Sequence, residues 1–362
     1  MKRRIFCTVT NELVYDQRMQ RICGTLQEAG YEVTLVGVCH RDSASLDTQV
    51  FKQVRLHCFF QKGKVFYAEY NFRLCIYLLF RSMDLICAVD LDTILPVYLV
   101  SSIKRIPRVY DAHEWFTEMK EVVSRPPIRW AWLALERWLV PKFPLGYTVS
   151  EPIAQYFKKT YGLDYALVRN MPLSRPWPVA EGKEGMILYQ GAVNEGRCFE
   201  YLIPAMKTVQ GTLHIYGDGN FMDQVKKLVA THQLEKKIFL LGRLKPAELA
   251  RITPQARVGI TLFEPHGLSN FHSLANRFFD YVQAGVPQVC SDFPTYQSLN
   301  NEYLVAFLIE PGVERISAAL NNLLENAVLY QQMRSACMEA ARTWTWEQES
   351  KSLISLYKNL LP

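Results

Sequence analysis

The stretch RIFCTVTNELVYDQRMQRICGTLQEAGYEVTLVG, residues 4–37, decides the fold. Residues 4–9 form a mostly apolar run of strand length, and residues 15–29 place Met19, Ile22, Cys23 and Leu26 on one helical face. Gly30 stops that helix, and residues 33–37 read as a second strand. Strand, helix and strand in this order make a βαβ unit, whose two strands run parallel.

Outward from this unit the alternation continues. Strand-type runs near residues 54–58, 85–89, 108–111 and 146–149 are separated by helix-period segments, and Ser150 caps a further helix that has Pro152 in its first turn. Residues 170–172 and the proline-rich 175–182 carry no periodicity, as expected of a connector. Strands then resume at 186–190, 212–216, 238–241, 258–262, 288–290 and 305–309. The tail is helical, with Leu353, Ile354, Tyr357 and Leu361 on one face.

The expectation is therefore α/β: two doubly wound Rossmann-like domains facing each other across a cleft. The boundaries read as a first Rossmann-like domain 1–173, a linker 174–185, a second Rossmann-like domain 186–345 and a C-terminal helix 346–362 that packs back on the first domain. A chain of 362 residues exceeds what one core usually organises, which agrees with two domains. Open α/β sheets bind ligands beyond the carboxyl ends of their strands, so the loops there hold the candidates.

Composition excludes several classes. A hydrophobic share of 49% and a charged share of 21% fit an ordinary globular protein rather than a disordered one. Nine cysteines, without paired C-x-x-C spacing, read as reduced buried thiols. The N-terminus enters a strand without a signal-peptide core, so a cytoplasmic location is expected. No run approaches the roughly 18 apolar residues of a spanning helix, which leaves only peripheral membrane contact. An excess of six positive charges without an aromatic-basic module argues against nucleic acid as a partner.

After the first strand of the second domain comes Gly191-Ala-Val-Asn-Glu-Gly196-Arg197, a glycine-bracketed turn that ends in a cation. Backbone N–H groups and a guanidinium suit a diphosphate and the charge that grows on it as it leaves. A tight turn with a solvated arginine is the bland alternative. Arg197-Cys198 replaces the Lys and Ser/Thr of a Walker loop, which sets Mg-dependent phosphate-loop chemistry aside. The first domain has no G-x-G-x-x-G after its first strand, which weakens a dinucleotide reading. Gly217-Asp218-Gly219 reads as a turn with positive φ.

The most informative segment is His272-Ser-Leu-Ala-Asn276-Arg277-Phe-Phe-Asp280-Tyr-Val-Gln-Ala-Gly285-Val-Pro287. A helix there offers free N–H groups to phosphates, and a carboxylate along it accepts both hydroxyls of a ribose. On this segment the chain resembles the retaining GT-B glycosyltransferases of family four, over almost its full length. The family pattern has two carboxylates eight residues apart and then a Gly-x-Pro run. Asp280 falls on the second carboxylate and Ala284-Gly285-Val286-Pro287 on the run, while His272 stands in the first carboxylate's place.

The resemblance implies that Asp280 binds the ribose, that Arg197 replaces a phosphate-binding lysine, and that Ala192 stands where an arginine is common. It also implies that Gly242-Arg243-Leu244 receives the nucleobase. The implied donor site is Gly191, Gly196, Arg197, Arg243, Leu244, His272, Leu274, Ala275, Asn276, Arg277 and Asp280. Glu264 either lines the same pocket or is an ordinary loop glutamate. The implied reaction is metal-independent front-face transfer of a hexose-type sugar from a nucleotide-diphosphate sugar, a co-substrate, with no further cofactor and no protein nucleophile.

In the first domain, Tyr110-Asp111-Ala112-His113-Glu114 ends a strand and resembles the family's cleft-histidine segment. His113 is the candidate catalytic residue beside Arg197 and Asp280, with Asp111 or Glu114 to orient it. A satisfied histidine closing a loop is the alternative. By the same logic Asn11, Asp16, His113 and Glu114 face the acceptor. Asp90-Leu-Asp92 reads as a cap on the following helix rather than a metal site.

Residues 125–143, rich in tryptophan and cations, and residues 62–81 are apolar almost all round. Such helices are buried or lie in a lipid interface. The membrane alternative gives contact with an anionic surface, on the cytoplasmic face of the inner membrane, and a glycan or lipid-linked acceptor in cell-surface polysaccharide or glycolipid synthesis. Two rival functions stay open: a GT-B-fold sugar-nucleotide epimerase, and an inactive glycosyltransferase-like binding subunit.

Overall fold

The computed structural model describes residues 2–41, 43–174, 183–265, 268–272 and 274–361. The proline-rich part of the expected linker, residues 175–182, lies outside the described residues. Two compact units emerge: Met1–Arg169 together with Glu349–Pro362, and Asn170–Gln348.

The first unit is built on a seven-stranded sheet. Its strands are β1 (Arg4–Thr8), β2 (Glu32–Cys39), β3 (Lys52–His57), β4 (Leu85–Val89), β5 (Arg108–Ala112), β6 (Gly146–Thr148) and β7 (Ala166–Leu167). Their order is β3-β2-β1-β4-β5-β6-β7, and every pair is parallel. The topological switch point lies between β1 and β4, whose register pairs Cys7 with Cys87. Two-residue β7 is too short for alternation to announce it in the sequence.

The second unit has six parallel strands: β8 (Met186–Gln190), β9 (Thr212–Tyr216), β10 (Ile238–Gly242), β11 (Val258–Thr261), β12 (Gln288–Ser291) and β13 (Ala306–Ile309). They are ordered β10-β9-β8-β11-β12-β13. Its switch point falls between β8 and β11, where Val258 pairs with Ile187. Both sheets are thus doubly wound, as the alternating pattern requires.

The last helix, Trp346–Leu360, changes allegiance along its length. Its start is held by Pro172, whose carbonyl accepts the Trp346 N–H at 2.7 Å. From Glu349 onward it belongs to the first unit, where Glu349 pairs with Arg169 at 2.9 Å and buried Tyr357 packs toward Tyr147. No helix among the described residues is long and apolar enough to cross a membrane. All nine cysteines are free thiols; Cys39, Cys58 and Cys75 are half-buried rather than buried.

Asp111 is the hub of the first core. It is wholly buried and forms a two-pronged pair with Arg18, at 2.7 Å from Nη2 and 3.1 Å from Nε. Arg18 Nη1 also donates to the Val168 carbonyl at 2.8 Å, which ties the first helix to the end of β7. Removing one partner of such a pair strands a charge. Arg18→Met is expected to destabilise the protein by about 3–5 kcal/mol in urea unfolding, and Arg18→Met/Asp111→Leu to recover most of that loss. A single variant as stable as the wild type would contradict this role.

Candidate functional site

In the second unit the site grows from the two loops that flank the switch point. Gly191, just past β8, has φ 120° and Gly196 has φ 83°, so both bends of the loop use the left-handed region that glycine tolerates. A Cβ on Gly191 would stand 3.4 Å from Nη1 of Arg277, an ordinary contact distance, so the backbone conformation is what calls for glycine. The segment after β9 braces the loop from below. Val193 N–H donates to Asp218 O at 3.0 Å, and a Cβ on Gly217 would come within 1.9 Å of the Gly191 carbonyl. Neither Gly217 nor Gly219 has positive φ. The expectation of a positive-φ turn is corrected: these glycines serve close approach to the neighbouring loop.

From the other side of the switch point comes Phe263. Its N–H donates to Ser291 Oγ at 2.8 Å and its carbonyl accepts from the same hydroxyl at 2.9 Å, so the ring is fixed from both ends of its own residue. Two guanidinium groups lie on that ring: Arg197 with Cζ 4.4 Å from the centroid and Arg277 at 4.7 Å. Arg277 also sits 4.6 Å from the centroid of Tyr189, and its Nη1 donates to the Tyr189 hydroxyl at 3.1 Å. That hydroxyl in turn donates to the Ala192 carbonyl at 2.6 Å. Arg277 is therefore wired into the glycine loop.

Arg277 is buried, yet its Nε and Nη2 atoms have no hydrogen-bond partner, and no carboxylate pairs with it among the described residues. Ring faces offset part of the cost of burying a cation. The N–H groups on Nε and Nη2 are left without an acceptor. Arg277 thus sets a second cation beside the loop from a different element, the helix Asn276–Gln283.

Asp280 lies on the same helix, half-buried, and accepts Gln190 Nε2 at 3.1 Å; Gln190 Oε1 is held by Thr253 Oγ1 at 2.8 Å. The carboxylate is thus oriented from β8. His272 ends a separate short helix, Leu268–His272, so His272 and Asp280 do not share one helical face. Burial pushes the His272 imidazole below its ordinary range, which favours the neutral ring. Leu274 is buried in the cluster with Phe263 and Phe278, and the Ala275 N–H is taken by the Tyr296 hydroxyl at 3.2 Å. Asn276 keeps a buried, unpartnered Oδ1. Arg243 is exposed and Leu244 half-buried beyond β10, where Gly242 takes φ 73°.

Glu264 donates its N–H to the Gly196 carbonyl at 3.0 Å, joining the two loops. Beside it opens a cavity of about 580 Å³ lined by Tyr201, Phe271 and Phe293. None of those three aromatic residues stands out in the sequence. The helix after the loop, Phe199–Ala205, is short and begins from Cys198 in the left-handed region, so its dipole adds little positive field at the loop.

The first unit carries a separate polar cluster at the carboxyl ends of β1, β4 and β5. Asp90 has φ 55°, a left-handed conformation that aspartate tolerates better than most residues. Its carboxylate accepts the Glu114 N–H at 3.1 Å and stands 3.6 Å from His113 Nδ1. Asp90, not Asp111, therefore orients His113, because Asp111 is committed to Arg18. Asp90 and Asp92 do not cap the next helix: its N-cap is Thr93, without a side-chain cap bond, and Asp92 is held by the Thr10 hydroxyl.

Asp16 is also engaged within the chain. Its carboxylate caps the helix Gln17–Glu28 by accepting Met19 N–H at 3.0 Å and also accepts Nδ2 of exposed Asn11 at 2.9 Å.

Burial alone would lower the His113 pKa, but the hydrogen bond and charge of Asp90 outweigh it and raise it to about 9. Burial and the Asp90 charge push the Asp92 carboxyl up to about 7, against the Thr10 hydrogen bond. His113 is then an imidazolium at neutral pH: a donor, not a base.

Family comparison agrees with the two-unit fold. The model of Glycosyl transferases group 1 matches residues 174–344, and that of Glycosyltransferase Family 4 matches residues 17–171. The chain belongs to the GT-B glycosyltransferases of group 1. Compared with curated proteins, the sequence finds no match. Among solved structures it resembles a sucrose-phosphate synthase from Thermosynechococcus elongatus, with TM-score 0.80, 14% identity and 99% of each chain covered. It also resembles Alr3699/HepE of Anabaena in complex with UDP-glucose, with TM-score 0.77, 13% identity and 99% and 100% coverage of this chain and that one. A third is the lipopolysaccharide outer core galactosyltransferase WaaB in its apo form, with TM-score 0.64, 14% identity and both chains fully covered. At these identities the likeness is one of fold.

Asp90→Asn should bring the His113 pKa down from about 9, to be read from imidazole proton shifts in an NMR titration. Because the folded-state value is raised, the stabilisation it brings is complete below the ordinary value of 6.5 and is lost as pH rises through about 9. An unchanged titration in Asp90→Asn would remove Asp90 as the cause.

Proposed function

We propose that the protein is a retaining transferase that moves a hexose-type sugar from a nucleotide-diphosphate sugar to a glycan or lipid-linked acceptor. The setting would be cell-surface polysaccharide or glycolipid synthesis, with peripheral contact at the cytoplasmic face of an anionic membrane. The observation that carries the donor half is Arg277, a buried guanidinium with two unpartnered N–H-bearing nitrogens beside a glycine loop. A diphosphate is the ligand that would meet both Arg277 and Arg197.

In this reading Asp280, oriented by Gln190, takes the ribose hydroxyls. The bond from the anomeric carbon to the diphosphate oxygen breaks while the acceptor hydroxyl attacks the same face of the sugar. Its proton passes to the departing phosphate oxygen. The arginines stabilise the charge that develops there, so the chemistry asks for no protein nucleophile, no metal and no further cofactor. His113, as an imidazolium, would donate to a hydroxyl of the sugar or acceptor. UDP-glucose, with which the Anabaena protein forms its complex, belongs to the proposed donor class.

A thermal-shift panel of UDP-, GDP-, ADP- and dTDP-sugars tests the donor half. A ligand at a hundred times its dissociation constant adds about 2.7 kcal/mol of stability. At least one donor should shift the wild type, and Arg197→Ala and Asp280→Ala should each remove the shift. Silence across the panel would sink the donor site, and an epimerised nucleotide sugar formed without acceptor would replace transfer by epimerisation.

A further inference from the structure

The helix Gly63–Leu79 is apolar on two opposite faces. Phe66, Tyr70, Leu74 and Leu78 are buried in the first core. The other stripe, Val65, Ala68, Phe72 and Ile76, continues to Phe80 and is exposed throughout, with Phe72 67% and Phe80 84% accessible. A helix apolar on both sides has a second apolar environment to meet. Glu69, the only acid on it, is turned to the backbone: it accepts the N–H groups of Phe59 and Phe60 at 3.0 and 2.9 Å and pairs with Arg73. That anchorage sets two more exposed phenylalanines beside the stripe.

Two neighbouring helices extend the surface. Pro126–Leu139 meets the first through Tyr67 and Trp132, whose ring centroids are 5.9 Å apart, and meets Ile94–Lys104 through Trp138 and Tyr98 at 6.2 Å. Trp132 is turned inward, whereas Trp130 and Trp138 are exposed, as are Leu99 and Ile103. The two readings of the tryptophan-rich helix thus divide between its faces.

Charge selects the occupant. Residues 58–82, 94–105 and 125–142 hold ten lysines and arginines against two carboxylates, whereas the whole chain has an excess of only six positive charges. The second carboxylate, Glu136, is buried under the hydroxyls of Thr117, Tyr156 and Tyr161. Lys62 and Lys64 stand at one end of the long stripe and Arg81 at the other. Apolar side chains and tryptophans framed by cations, with no outward carboxylate among these helices, match an anionic bilayer surface rather than a water-filled one.

We infer that these three helices form a membrane-docking face, with Phe72, Ile76, Phe80 and Trp130 entering the interface of an anionic bilayer and the cations meeting its headgroups. The inference deepens the proposed function and rests on it only for the idea that the acceptor is lipid-borne. The full chain is floated with vesicles of phosphatidylcholine and phosphatidylglycerol, and separately with phosphatidylcholine alone. It should rise with the anionic vesicles at low salt, be released as salt increases, and stay behind with the neutral ones.

Phe72→Ser/Ile76→Ser should lower partitioning by about tenfold per side chain while leaving the donor thermal shift intact. That shift also separates the two proposals, since a failed donor panel leaves flotation unaffected. Absence of the wild type from the anionic vesicles, or equal flotation of the variant, would overturn the docking face. So would lipid-free self-association in sedimentation velocity that the double variant abolishes, because the face would then be covered by a second copy.

Discussion

A single cation held out of water organises the second unit. Burying the Arg277 guanidinium costs several kcal/mol unless its charge is met. Tyr189 and Phe263 meet part of it through their ring faces, and the Tyr189 hydroxyl takes one N–H. Much else follows from keeping it there. Ser291 pins the Phe263 backbone, and the turn at Gly217 presses against the Gly191 loop from below. Two N–H-bearing nitrogens are left over, and the proposed diphosphate is what would meet them.

The first unit solves the opposite problem. Its cluster is rich in carboxylates, and one imidazolium lies among them. Asp90 reaches His113 because its backbone turns left-handed, and Asp92 lowers the repulsion by holding its proton toward neutral pH. One unit therefore presents cations suited to phosphate, and the other presents hydrogen-bonding groups suited to hydroxyls.

The alternation of strand and helix makes both sheets legible, because parallel strands buried on two faces leave apolar runs that are easy to bound. Gly191, Arg197 and Asp280 are legible for a related reason: turn geometry and charge are local properties. What the sequence hides depends on contacts between distant segments. Arg277 becomes a loop cation only because β11 delivers Phe263 beneath it, and Asp90 becomes the partner of His113 only through a left-handed residue that no motif marks. The cap made by Asp16 is hidden because a helix-capping aspartate and a ligand-facing one look alike in sequence. The two-faced character of Gly63–Leu79 is visible as composition, but which face stays bare depends on how the helix lies on the sheet.

The account turns on Arg277 meeting phosphate rather than merely packing. The direct measurement is calorimetric titration of the wild type and Arg277→Met with the preferred nucleoside diphosphate and with its nucleoside. The wild type should bind the diphosphate much more tightly, and the substitution should cut that preference about ten- to hundredfold while nucleoside binding stays the same. A variant that keeps the full preference for the diphosphate would contradict the account.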